Sequence, residues 1–165
     1  MTETTLRPPF DPELEAALAL VGDQMPTTLT AEMITLMRQN PVAGEDQVFA
    51  VLDERGFTRR DVTIAGHEGD EIVVSVIAKR GRTGTGPGFF HTHGGGMIIG
   101  NRWLGVVGFL DWAERFNGVI VTVEYRLAPE FPDPYPVEDC YAGLVWTADN
   151  AAELGIDPNR ILIGG

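Results

Sequence analysis

Two kinds of hydrophobic spacing divide this chain near residues 45–55. Before that point apolar residues recur at helical intervals. Leu14, Ala17, Leu18 and Val21 keep i, i+3, i+4, i+7 spacing. Asp11 is placed to cap, Pro12 suits the first helical position and Gly22 can end the helix. A second helix is predicted over Thr30–Asn40, with Met33, Leu36 and Met37 on one face and Pro41 as the stop. Residues 46–55 read as a third, short helix. From Asp61 the pattern turns β-rich. Asp61–His67 and Glu71–Lys79 flank Glu68-Gly69-Asp70, which predicts a hairpin. Gly86–His93, Gly118–Tyr125 and a segment beginning at Arg160–Ile163 are mostly apolar without alternation, as strands covered on both faces are. Between them Val106, Phe109, Leu110 and Ala113 form one helical stripe. Val137, Tyr141, Leu144, Val145, Ala148 and Ala152 form another, ended by Gly155 and Pro158. Strand–helix–strand–helix–strand after an opening hairpin implies a largely parallel α/β sheet with right-handed crossovers.

Composition narrows the function. The chain has 165 residues, enough for one domain with its own core, and its apolar fraction is 44%. Twelve basic against 24 acidic residues give a net charge of −12, which disfavours a nucleic acid partner and suits a neutral or weakly charged small molecule. No stretch approaches the ~18 apolar residues of a membrane span. Met1 to Phe10 is polar, with two prolines and no secretory pattern. Cys140 is the one cysteine, so no internal disulfide can form. A cytoplasmic location is the expectation.

The candidate chemistry lies in His93-Gly94-Gly95-Gly96, directly after an apolar strand. Three successive glycines let the backbone turn sharply and bring N–H groups close to a ligand. Such groups can stabilise an oxyanion as charge develops on a carbonyl oxygen, and the pattern matches the HGGG-type loop of lipases and esterases. A plain glycine-rich turn is the competing reading. A phosphate cradle is the weakest, since there is no GxGxxG and no GKS or GKT.

The segments that follow add to the glycine motif. Glu124-Tyr125-Arg126-Leu127-Ala128-Pro129-Glu130 comes after the fourth strand, then Tyr135-Pro136-Val137-Glu138-Asp139, then Gly155 to Gly165 with Arg160-Ile161-Leu162-Ile163. Over roughly residues 60–165 this succession resembles the hormone-sensitive-lipase family of bacterial carboxylesterases. The resemblance implies an α/β-hydrolase fold, a mostly parallel sheet flanked by helices, with residues 1–50 as an N-terminal helical cap and 51–165 as the first half of the catalytic domain. It implies hydrolysis of short- to medium-chain acyl esters by a Ser–Asp–His triad, with no metal and no cofactor. The backbone N–H groups of Gly95 and Gly96 would be oxyanion donors, with Gly94 and His93 shaping the loop. Trp103 would line the pocket near the leaving group, although core packing is an equal reading. Met25, Met33 and Met37 would face the acyl chain from the cap, with ordinary helix packing as the alternative.

The nucleophile is missing from these residues. Ser75 is the one serine, and it sits mid-strand without the GxSxG turn that would expose a hydroxyl. Cys140 falls on an apolar helix face with no neighbouring base and reads as a buried structural thiol. In the family pattern the nucleophile comes two residues after Gly165, and acid and base come later. None of His67, His91 and His93 holds the late histidine position. The 165 residues alone are therefore expected to be inactive, with the C-terminal half of the same hydrolase as their partner. Nothing opposes a homodimer. His91 and His93 share one side of a strand, but no third metal ligand is marked. Arg126, Glu130, Glu138 and Asp139 read as structural charges, with substrate binding as the alternative. A non-catalytic small-molecule-binding protein on the same fold is the second functional reading.

Overall fold

A computed structural model describes residues 8–22, 28–39 and 44–165. Met25, Asn40 and Pro41 lie outside them. Two compact units result, Met1–Thr35 and Leu36–Gly165. In the first, helix α1 (Pro12–Val21) starts at Asp11, whose carboxylate accepts the N–H groups of Glu13 and Leu14 at 2.9 and 3.3 Å. Leu14 and Leu18 of the expected stripe are exposed. Helix α2 (Ala31–Gln39) half-buries Met33 and Met37 but exposes Leu36, so its inner face is rotated toward Arg38.

Helix α3 (Glu45–Glu54) packs Val48 and Leu52 on the sheet. Strand β1 (Phe57–Ala65) starts four residues earlier than its pattern suggests, because Thr58, Arg59 and Arg60 are exposed and break the alternation. A short 3-10 turn, His67–Gly69, leads into β2 (Glu71–Lys79), which pairs with β1 antiparallel as expected. Then follow β3 (Gly86–Thr92), a 3-10 turn at Val106–Phe109, α4 (Leu110–Phe116), β4 (Val119–Glu124), α5 (Tyr135–Asp149), α6 (Ala151–Leu154) and β5 (Ile156–Gly164).

The strand order is β1-β2-β4-β3-β5. β3 pairs in parallel with both β4 and β5, whereas β2 pairs antiparallel with β4. The sheet is thus mixed but mostly parallel, as expected: β1, β4, β3 and β5 run in one direction, and β2 alone is reversed between β1 and β4. Alternate side chains feed two cores. Val76, Phe90 and Val121 face Leu144 and Leu154, while Ile77, Phe89 and Ile120 face Leu110 and Ala113. The crossovers α4 and α5 therefore cover opposite faces of the sheet. Chain direction across the sheet reverses between them, which makes the carboxyl end of β3 a switch point where α/β sheets place their ligands.

Helix α5 shows a second departure. Val137, Tyr141 and Val145, predicted to face the core, are exposed. The buried positions are Pro136, Asp139, Gly143 and Thr147. A Cβ at Gly143 would stand 3.1 Å from Phe90 Cζ, so small residues let the helix axis approach the sheet closely. Among the described residues no helix is long and apolar enough to cross a membrane.

Candidate active site

β3 delivers His93 to the switch point almost fully buried. Its ring stacks on Tyr125 at 4.1 Å and 8°, and the Tyr125 hydroxyl donates to the His93 carbonyl at 2.7 Å. His93 Nδ1 lies 2.8 Å from the Gly94 carbonyl oxygen, which can only accept, so Nδ1 carries the proton. Nε2 is buried with no partner among the described residues. Burial pushes the His93 pKa down, only partly offset by the Gly94 bond and the Glu124 charge. The ring is a neutral wedge under the turn.

The glycines then reverse the chain. Gly95 has φ of 121°, and a Cβ there would lie 2.1 Å from the Ile99 carbonyl oxygen. The Gly95 carbonyl accepts N–H groups from Ile98 and Ile99 at 3.2 and 3.1 Å. Among the described residues, the N–H groups of Gly95 and Gly96 donate to no protein acceptor. Gly94 and Gly96 are exposed and Gly95 is half-buried. Beside the turn is a mostly apolar cleft of about 340 Å³, walled by Thr92, His93, Met97, Tyr125, Val137 and Cys140. Burial, and then the nearby Asp139 charge, push the Cys140 thiol up to about 12, so it stays protonated.

Two arginine clusters hold the flanking loops. Arg126 donates through Nε and Nη2 to both oxygens of Asp139, at 2.8 Å each, through Nη1 to Asp70 at 2.7 Å, and through Nη2 to the His67 carbonyl at 2.9 Å. Asp139 is wholly buried. Burial raises its pKa, but Arg126 and the N–H groups of His67 and Arg126 outweigh this and hold it below the usual carboxylate range. Glu130 pairs with Arg38, and Glu138 is exposed. His67 sits at the hairpin turn, its ring edge-on to Tyr135.

Arg102 anchors the segment after the glycine turn. It donates to Ser75 Oγ at 2.8 Å, to Glu124 at 2.7 Å and to Asp61 at 3.2 Å. Ser75 Oγ in turn donates to Asp61 at 2.5 Å, and the residue is fully buried. The Thr122 hydroxyl donates to the Arg102 carbonyl at 2.7 Å, so it must accept from His91 Nδ1–H at 2.9 Å. Trp103 does not border the cleft. It is 1% exposed, edge-on to Phe49 in the core, with Arg102 over its ring. Among the described residues no group of three or more His, Cys, Asp or Glu side chains is disposed to hold a metal. Arg38 and Arg102 carried no sequence signal, since their partners lie 22–92 residues away.

Residues 89–165 match the profile of an α/β-hydrolase-fold family. Carboxylesterase NlhH of Mycobacterium tuberculosis is 34% identical over 167 aligned residues, covering all of this chain and 50% of that protein. An arylesterase of Saccharolobus solfataricus is 35% identical over 95 residues, 58% of this chain and 31% of the relative. A bacterial heroin esterase superposes with a TM-score of 0.71 at 33% identity, covering 94% of this chain and 48% of that one. The chain spans half or less of the length of these relatives. Sheet order, glycine turn and these likenesses agree: the chain has the α/β-hydrolase fold and resembles the N-terminal half of hormone-sensitive-lipase-like carboxylesterases.

Proposed function

We propose that this chain is the oxyanion-binding half of a serine carboxylesterase for short- to medium-chain acyl esters. One observation carries the reading: Gly95 and Gly96 present N–H groups without an acceptor among the described residues, beside an apolar cleft at the switch point of the sheet. Two such donors suit the negative charge that grows on an ester carbonyl oxygen when a nucleophile attacks, because they are already aimed and need no reorganisation. In this reading the nucleophile, acid and base are supplied by residues beyond Gly165. Ser75 has no part in attack, since its oxygen is buried between Asp61 and Arg102. The serine adds to the carbonyl, its proton goes to histidine, the alcohol leaves with that proton and water releases the acid.

The test is hydrolysis of p-nitrophenyl butyrate by the full-length protein, with inactivation by a phosphonate ester. Turnover that the phosphonate abolishes supports the reading. A folded full-length protein that binds the ester without releasing nitrophenol refutes it and leaves the non-catalytic binder.

A further inference from the structure

The glycine turn is held at both ends. Its entry is pinned by the Tyr125 hydroxyl on the His93 carbonyl and by the His93 ring on the Gly94 carbonyl. Its exit, from Met97 to Gly100, is tied to other segments of the chain at two carbonyls. The Met97 carbonyl accepts the Ala128 N–H at 2.9 Å, which joins the exit to the loop after β4. The other tie comes from the last turn of α2. There the Arg38 guanidinium donates through Nε to the Ile98 carbonyl at 2.8 Å and through Nη2 to the Ala128 carbonyl at 2.6 Å. Its Nη1 donates to both oxygens of Glu130 at 2.9 and 3.0 Å.

We infer that Arg38 is a positioning residue for the glycine turn: one planar guanidinium fixes the spacing of the Ile98 and Ala128 carbonyls and so aims the N–H groups of Gly95 and Gly96. The inference rests on the esterase reading above. Its geometry is closed. Arg38 holds Ile98, whose N–H is bonded to Gly95, and holds Ala128, whose N–H is bonded to Met97. The Glu130 carboxylate grips the third side of the fork and stops it rotating. The Arg38 and Glu130 side chains are 28% and 57% exposed, so their ion pair contributes little to stability. What the contact supplies is distance and direction. A lysine ammonium has no rigid fork and cannot reproduce two carbonyl contacts set by one plane. Misplacing a catalytic group by about 1 Å can cost about a hundredfold in rate.

The experiment uses the full-length protein with Arg38→Ala and Arg38→Lys. kcat and KM are measured on p-nitrophenyl butyrate, and hydrogen exchange is read at the amides of Ile98, Ile99 and Ala128. For Arg38→Ala a fall in kcat of about tenfold to a hundredfold is expected, with KM within about threefold. The three amides should exchange faster, while those of β4 stay as in the wild type. Arg38→Lys, which keeps charge and bulk, should lose kcat to a smaller degree, and it decides the question if Arg38→Ala fails to fold. A kcat within about twofold of wild type in the folded variants, or unchanged exchange at the three amides, overturns the assignment. If the wild type hydrolyses no ester the functional reading fails separately, and exchange alone then decides whether Arg38 orders the turn.

Discussion

Replacing Asp139 with alanine tests whether the charges behind the cleft are structural. The carboxylate is wholly buried and accepts four bonds: the His67 N–H at 2.8 Å, the Arg126 N–H at 3.1 Å, and Arg126 Nε and Nη2 at 2.8 Å each. Alanine leaves two backbone donors unsatisfied, at about 1–3 kcal/mol each when buried. It also leaves the Arg126 guanidinium, 12% exposed, with Asp70 as its one remaining carboxylate partner among the described residues. These costs overlap. Asp70 is 66% exposed and offers weak compensation, so the figure for breaking a buried pair applies, about 3–5 kcal/mol. Urea denaturation of the full-length protein at pH 7, followed by circular dichroism, measures it. Asp139→Leu combined with Arg126→Met should lose less than Asp139→Ala alone, because no uncompensated charge remains. The pH dependence has a definite sign. The folded carboxylate is held below its ordinary value of 3.8, so its contribution is present above that value and fades as pH falls through the folded pKa. A loss under about 1 kcal/mol would refute the reasoning. So would a large change in kcat at unaltered stability, which would give the pair a direct role on substrate.

Three further outcomes follow from the same geometry. Gly95→Ala forces a Cβ against the Ile99 carbonyl at a φ that alanine rarely adopts, so kcat of the full-length protein should fall by about a hundredfold or more, as for a lost oxyanion donor; steady-state kinetics decide it. Ser75→Ala should leave kcat within about twofold while lowering the melting temperature, and abolished turnover would show that the buried serine reacts. His91 is nearly inaccessible and its pKa is lowered from 6.5 to about 4, chiefly by burial and then by His93. The unfolded chain binds its proton first, so roughly 3 kcal/mol of stability is lost as pH falls from 6.5 to 4. Denaturation midpoints of wild type and His91→Asn across that range should converge as pH falls, and parallel curves would exclude the effect.

The strands and the glycine turn were legible because each is local. Val119 to Val123 are apolar at every position but Thr122, and three successive glycines after a strand mark a sharp turn. Helix α5 was read one face out, since its pattern weighs hydrophobicity while its packing selects small size at Gly143 and a partnered charge at Asp139. The seat of β2 beside β4 was not readable, because a hairpin fixes which strands pair within it and not which neighbour the pair joins. Ser75 in an apolar strand was a visible anomaly. Its explanation, Arg102, lies on a loop 27 residues later, where no periodicity points. Trp103 was ambiguous for a related reason: a large aromatic after the turn suits a pocket or a core, and only Phe49 from α3 decides between them.

The place of β3 inside the sheet has a consequence for how the protein is made. The strand that carries the glycine turn is flanked by two partners that follow it in the chain, β4 on one side and β5 on the other. Gly86 waits for Ile156, about 70 residues further on, before its second edge is closed. On a ribosome adding about 5–20 residues each second, that edge stays open for several seconds after β3 emerges. Such long-range pairing slows folding and exposes backbone meanwhile. The first element of the site to be synthesised is thus among the last to be locked, and conditions that help nascent chains govern the yield of correctly formed turns.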